Sequence, residues 1–227
     1  MTGEESYAYA TVGGTTLGMD LHRAPQAGAP LVLYVHGGGW RSGNRADAGA
    51  TRLAPLAARG VTVASVDYRL VPDATFPDQL HDLKGAVRWL RAHGPRLGVP
   101  TDRLGVWGAS AGAYLGSLLA LTGGDGEFEG AVGGNLEQAS GVQAVVHWFG
   151  QSDLLVSGSR SDIEARLLPF AFELVCSVWT PWPTPPIVLV SSACSPASRP
   201  RRHPSSSRTA TATTSSHRPR GRPCTTR

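Results

Sequence analysis

The chain has 227 residues, of which 41% are hydrophobic, and a formal net charge of +4. This length is sufficient for one α/β domain with a sizeable core. No apolar run approaches the ~20 residues that a membrane helix needs, and the polar, acidic residues at positions 1–6 contain no apolar secretory segment. We therefore expect a cytoplasmic protein that has no membrane partner.

The charge is distributed unevenly along the chain. Residues 1–173 carry 13 Lys and Arg against 17 Asp and Glu, whereas residues 174–227 carry eight Arg and no acid. All three cysteines also lie in this second part, without the spacing of a disulfide framework. The composition predicts a folded domain over 1–173 and a basic tail rich in Pro, Ser, Thr and Arg over 174–227.

The first elements predicted along the chain are strands. Residues 7–12 and 15–21 flank Gly13-Gly14 and predict a β-hairpin, in which Leu17, Met19 and Leu21 form one buried face. The continuous apolar run 31–35 is typical of a parallel strand covered on both faces.

Helices and strands are then expected to alternate. The periodic positions in 47–59 predict a helix that ends at Gly60, and those in 78–93 predict a second helix whose His81 and Lys84 face solvent. The apolar runs predict strands at 61–66, ending before Asp67-Tyr68-Arg69, and at 142–149, with His147 inside a buried strand. This alternation favours a mostly parallel, doubly wound sheet.

The central motif is Gly-x-Ser-x-Gly at residues 108–112, between an apolar strand at 103–107 and a leucine-rich helix that extends to Leu121. A strand, this motif and a helix form the nucleophile elbow, a tight turn that exposes the serine. Gly108 and Gly112 then allow strand and helix to approach each other. Gly105, Gly108 and Gly112 are also compatible with a phosphate-binding turn of a dinucleotide fold.

A second motif distinguishes these interpretations. His36-Gly37-Gly38-Gly39-Trp40 follows the buried strand 31–35, about 70 residues before the elbow. Such a loop is either a plain flexible turn or a set of N–H donors for a developing oxyanion. The order of the two motifs favours a hydrolase in which Ser110 is the nucleophile and the N–H groups of Gly38, Gly39 and Ala111 form the oxyanion hole. Because the acidic loop 123–127 lacks calcium-ligand spacing, we expect no metal.

Residues 7–153 resemble the bacterial hormone-sensitive-lipase-like esterases, in particular the short-capped branch with feruloyl and acetylxylan esterase-like domains. The similarity rests on the segments that contain the two glycine motifs, 36–43 and 101–112, and on 66–70, 76–77, 81–84, 86–91 and 142–150. It implies an α/β-hydrolase fold and hydrolysis of a small carboxylic ester through an acyl-enzyme, without a cofactor or nucleic acid. It also implies supporting roles for His36, Gly37, Trp40, Asp67, Arg69, Gly108 and Gly112.

The substrate and the oligomeric state stay open at this point. A short cap favours short acyl chains or bulky esters. Acyl transfer does not determine the leaving group, so an amide or formamide hydrolase with the same apparatus is an alternative, as is an inactive remnant of an esterase.

The chain departs from the esterase pattern after residue 153. The family places an acid within His-Gly-x-x-Asp-x-x-Val-Pro and a histidine some tens of residues later, but this chain has no Asp or Glu after Glu173. Without a base, a serine is a weak nucleophile. We therefore expect the C-terminal strands and the acid and histidine of the triad to be missing, and the activity of this chain to be impaired.

Codon arithmetic suggests an origin for the tail. Read in a displaced frame, the codons of 204–217 are compatible with Phe-Leu-Leu followed by Ala-His-Gly-Asp-Arg-Asp-Asp-Leu-Val-Pro, which matches the missing acid loop. This compatibility leads to the hypothesis of a frameshift near 170–180. A disordered segment and a basic arm that binds nucleic acid or an acidic partner are the alternatives.

Overall fold

The computed structural model describes residues 4–151. It begins with the predicted hairpin, in which strand β1 (Glu4–Val12) pairs antiparallel with β2 (Thr15–His22) around Gly13 and Gly14, both at positive φ. Contrary to the one-sided pattern expected of this hairpin, β2 is buried on both faces from Leu17 onward. The second face is covered because the Arg45 guanidinium contacts Asp20 and the Gly49 turn approaches His22.

Within the described residues, six strands form one sheet, in which the hairpin is followed along the chain by β3 (Leu31–Val35), β4 (Thr62–Val66), β5 (Leu104–Ala109) and β6 (Ala144–Trp148). Their order across the sheet is β1-β2-β4-β3-β5-β6. Strands β4, β3, β5 and β6 run parallel to one another, whereas β2 runs antiparallel to both of its neighbours, β1 and β4. This confirms the predicted mostly parallel sheet and brings the loops after β3, β4, β5 and β6 to one edge, where an α/β protein places its binding site.

The helix predicted over 47–59 is shorter and less regular than expected. Its first turn, Gly49–Leu53, is π-helical, with the Ala48 carbonyl accepting hydrogen bonds from the N–H groups of Arg52 at 3.0 Å and Leu53 at 3.1 Å. Helix α1 (Ala54–Ala58) continues from it and ends near Gly60, whose φ is +101°. Leu53 is buried against Tyr34, Val63 and Ala109 of the sheet.

Helix α2 (Asp78–His93) has the predicted bounds, and its leucine row is buried in the main core. The prediction that Lys84 faces solvent is wrong, because its ammonium is buried and lies 2.8 Å from a Glu129 carboxylate oxygen and 2.6 Å from the Thr122 carbonyl. His81 is half-buried rather than solvated, and burial lowers its pKa. Both side chains are covered by the long connection that follows helix α3 (Ala111–Leu121).

Strand β6 is also shorter than predicted, and it is not buried. Val145 and Val146 are 37% and 49% exposed. Among residues 4–151, β6 is the last strand in the sheet order and pairs with β5 on one side only. The composition break near 173 and the expected loss of C-terminal strands lie outside the described residues. Within residues 4–151, no helix is long and apolar enough to span a bilayer.

Candidate active site

Ser110 occupies the turn between β5 and α3. Its φ of +52° and ψ of −120° are strained for a residue with a side chain. The two motif glycines permit this turn, since a Cβ on Gly108 would lie 2.1 Å from the Gly112 carbonyl oxygen, and one on Gly112 would lie 2.2 Å from the Val35 carbonyl oxygen. The local geometry is therefore that of a nucleophile elbow.

The glycine loop after β3 lies directly beside this turn. A Cβ on Gly37 would be 3.1 Å from the Ser110 Cβ. The Gly38 carbonyl accepts hydrogen bonds from the backbone N–H groups of Arg41 at 3.1 Å and Ser42 at 3.2 Å, which fixes the peptide orientation. Among the described residues, the N–H groups of Gly38 and Gly39 have no acceptor, and the Ala111 N–H is at the first, unpaired turn of α3.

His36 holds this loop through its side-chain contacts and forms no hydrogen bond with Ser110. Its Nδ1 donates to the Gly37 carbonyl at 2.7 Å, and its ring stacks on Tyr68 at 4.4 Å between centroids. The Tyr68 hydroxyl donates in turn to the His36 carbonyl at 3.0 Å. Burial lowers the pKa of His36, which favours the neutral form of the imidazole. Sequence reasoning missed Tyr68 as an individual residue, although it lies inside the noted segment Asp67-Tyr68-Arg69.

Trp40 and Asp67 have further contacts around the loop. Trp40 is buried and meets the Tyr114 ring edge-on at 5.9 Å. The Asp67 carboxylate accepts the Arg45 N–H at 2.9 Å and also pairs with the Arg45 guanidinium. Asp67 thus holds the chain that leaves the glycine loop.

Arg69, to which the resemblance gives a supporting role, has its side-chain contacts on α2. Its guanidinium forms a bidentate salt bridge with the Asp82 carboxylate on α2, with nitrogen–oxygen distances of 2.8 and 2.9 Å. The backbone near Arg69 does reach the loop, because the Val71 N–H donates to the Trp40 carbonyl at 2.9 Å. Arg69 therefore fastens this segment to α2.

The C-terminal end of β6 forms hydrogen bonds with the elbow and with helix α3. The Ser110 N–H donates to the Trp148 carbonyl at 3.0 Å. The Ser117 hydroxyl donates to the Ala113 carbonyl at 3.0 Å, so His147 Nδ1, at 2.9 Å, donates to the Ser117 oxygen. His147 is thus tied to α3, and no imidazole among residues 4–151 forms a hydrogen bond with the Ser110 hydroxyl. His203 and His217 lie outside the described residues.

An open cleft of about 300 Å³ lies over the half-buried Ser110. The glycine loop forms one wall, and residues of the π-helical turn and the β6 end form the others. The lining includes His36, Gly37, Gly38, Ser110, Asp47, Arg52, Tyr34 and Phe149. In this part of the chain, no group of three or more His, Cys, Asp or Glu side chains is arranged to hold a metal ion.

The family model BD-FAE matches residues 19–168, which include both glycine motifs and the whole parallel part of the sheet. The chain belongs to the BD-FAE family. Its assignment to the α/β-hydrolase fold is supported by the crystal structure of esterase LipW from Mycobacterium marinum, which matches with a TM-score of 0.65 at 28% identity over 80% of this chain and 56% of that one.

Curated relatives of this BD-FAE chain are esterases. Esterase LipC of Mycobacterium tuberculosis is 35% identical over 129 residues, covering 57% of this chain and 32% of LipC. Ethyl acetate hydrolase of Pseudomonas putida is 42% identical over 113 residues, covering 47% of this chain and 35% of that enzyme. The BD-FAE chain thus spans about a third of the length of the curated relatives that it matches.

Proposed function

We propose that the site at residues 36–40 and 108–112 is that of a serine hydrolase of carboxylic esters. This proposal rests on one observation: the glycine loop and the nucleophile elbow lie side by side at the same cleft. Ser110, on its strained turn, and Gly38 border one cleft. The N–H groups of Gly38 and its neighbour Gly39 lack acceptors among the described residues. The esterase relatives support the choice of ester as substrate.

The chemistry follows the geometry of the elbow. The Ser110 oxygen attacks the ester carbonyl carbon and loses its proton to a base, and the carbonyl oxygen becomes an oxyanion. The N–H groups of Gly38, Gly39 and Ala111 stabilise that charge. The alcohol leaves with a proton, and water then cleaves the acyl-enzyme to release the acid and regenerate Ser110. No cofactor takes part in these steps.

The base is the part of this mechanism that residues 4–151 do not supply. His36 and His147 are engaged by Gly37 and Ser117, and the tail has no acid to orient a histidine. Loss of one triad member typically costs several orders of magnitude in turnover. We propose that the 227-residue chain retains the nucleophile and the oxyanion donors but is only weakly active, and that the displaced frame encodes the missing acid and histidine.

A comparison of two chains tests the proposal. One is the 227-residue chain, and the other follows the displaced reading frame from about residue 175 onward. Each is assayed with p-nitrophenyl acetate beside its Ser110→Ala variant and a Ser6→Ala control, which removes a hydroxyl from an exposed residue of β1 that hydrogen-bonds Asp20, outside the cleft lining. Circular dichroism verifies folding.

We expect rapid hydrolysis by the displaced-frame chain, weak hydrolysis by the 227-residue chain, and loss of both with Ser110→Ala but not with Ser6→Ala. Hydrolysis that survives Ser110→Ala in either chain would contradict the assignment of the nucleophile. Full activity of the 227-residue chain would contradict the proposal that this chain lacks a catalytic base. An inactive pair of folded chains would indicate a non-catalytic remnant.

A further inference from the structure

The cleft beside Ser110 contains a cation that the mechanism above does not use. Arg52 lies in the π-helical turn and lines the same cleft as Ser110, Gly38 and Phe149. Single π-helical turns inside α-helices occur often at functional sites. Here, Leu53 is buried under the sheet while its neighbour Arg52 borders the cleft.

Two aromatic side chains contact the Arg52 guanidinium and fix its position. Its central carbon is 4.8 Å from the centroid of the Trp148 ring, within cation–π distance. One terminal nitrogen is 3.4 Å from the hydroxyl of the buried Tyr34. Trp148 is also the residue whose carbonyl holds the Ser110 N–H. The same residue therefore supports both the cation and the nucleophile.

Arg52 has no carboxylate partner among the residues that the structure describes. Arg45 and Arg69, by contrast, each pair with two carboxylates. The nearest acid in the cleft lining is Asp47, whose carboxylate accepts the Asn44 N–H at 3.0 Å and forms no ion pair with Arg52. Among the described residues, the Arg52 guanidinium donates only to the Tyr34 hydroxyl, which leaves N–H donors for a ligand in the cleft.

We propose that Arg52 binds a carboxylate of the substrate, so that the cleft selects monoesters of dicarboxylic acids over neutral esters. This proposal rests on the proposed function and adds a substrate class to it. The planar fork of a guanidinium matches the two oxygens of a carboxylate. Asp47 in the same lining disfavours a dianionic phosphate by like-charge repulsion more than it disfavours a monoanion. A cleft of about 300 Å³ is at the small end of ligand sites and suits a short diacid.

A binding experiment tests this selectivity without relying on turnover. The full 227-residue chain with Ser110→Ala is titrated with monomethyl succinate and with dimethyl succinate, and the dissociation constants are measured by NMR. The titrations are repeated after Arg52→Gln, Arg52→Lys and Arg59→Gln. Arg59 is an exposed arginine at the end of the same helix, outside the cleft lining, so it is the matched control.

We expect monomethyl succinate to bind about tenfold more tightly than its neutral diester, as for a charge-assisted hydrogen bond at a partly exposed site. Arg52→Gln should abolish this preference, Arg52→Lys should retain part of it, and Arg59→Gln should retain all of it. Equal affinities for the two esters, or a preference that survives Arg52→Gln, would overturn the proposal. The ester-hydrolase assignment is tested separately. It fails if p-nitrophenyl acetate hydrolysis does not depend on Ser110.

Discussion

Gly38 satisfies two demands that no other residue type meets together. Its φ of +121° is rare for a residue with a side chain, and a Cβ there would lie 2.0 Å from the Ser42 carbonyl oxygen. The clash is with backbone of the same loop, so the loop would have to move to relieve it. The position of the Gly38 N–H, and with it the proposed oxyanion hole, therefore depends on the absence of a side chain.

Gly38→Ala should lower the turnover of an active, displaced-frame chain by about 10²–10³, which is the cost of one oxyanion donor. Gly28→Ala is the matched control, because Gly28 also has a positive φ, +73°, but has open space around it. Both variants should lose some free energy of unfolding to backbone strain, measured in urea. Near-normal turnover of a folded Gly38→Ala variant would reject the place of Gly38 in the oxyanion hole.

His36 predicts a pH dependence of stability. Burial lowers its pKa in the folded state, and its Nε2 is buried without a hydrogen-bond partner among the described residues. Below the ordinary histidine pKa of ~6.5, the unfolded chain therefore binds the proton more readily, so the free energy of unfolding falls as pH decreases from there. Urea unfolding at pH 7.5 and 5.5 should show a smaller acid-induced loss for His36→Asn than for the unchanged chain. An equal loss in both would show that other groups dominate.

Helix α2 holds the long connection after α3 through a buried charge cluster. Lys84 and Arg88 are both buried, and their nitrogens lie 2.8 and 3.2 Å from the two carboxylate oxygens of Glu129. Burial raises the pKa of Glu129, but the hydrogen bonds from Lys84 and Ser140 outweigh it, so the pKa is lowered overall. One carboxylate thus pairs with two buried cations.

Glu129→Gln should destabilise the fold by about 3 kcal/mol, because it leaves two buried cations without their anion. Glu127→Gln removes an exposed acid from the same connection, and its free energy of unfolding should stay within about 0.5 kcal/mol of the unchanged chain. Chemical denaturation of the two variants measures the difference. A Glu129→Gln chain as stable as Glu127→Gln would show that the cluster contributes no net stability.

At the scale of the whole molecule, local patterns were enough to predict the elements that position the site. The hairpin, β3, α2 and the elbow follow from signals within a few residues, and each appears in the structure. Long-range contacts were not predictable in this way. Lys84 looks like a solvated helix residue until Glu129, 45 positions later, covers it, and the π-helical turn that directs Arg52 to the cleft has no sequence signal that we identified. The exposure of β6 depends on its place in the sheet order.

The frameshift hypothesis concerns residues of the chain beyond those that the structure describes. Sequencing the DNA across about codons 165–230 should reveal a single-base insertion or deletion near 170–180, with the acid loop restored in the displaced frame. The same frame should encode the histidine downstream of codon 227. A displaced frame interrupted by stop codons or lacking an acid would contradict the hypothesis.

The most direct test of the proposed acyl-transfer site is reaction with a fluorophosphonate, followed by peptide mapping in a mass spectrometer. We predict a phosphonyl adduct on Ser110 in both chains, formed several orders of magnitude faster in the displaced-frame chain, where a base is expected. The Ser110→Ala variants should remain unlabelled. An adduct on another residue, or equal labelling after Ser110→Ala, would contradict the assignment of Ser110 as the nucleophile.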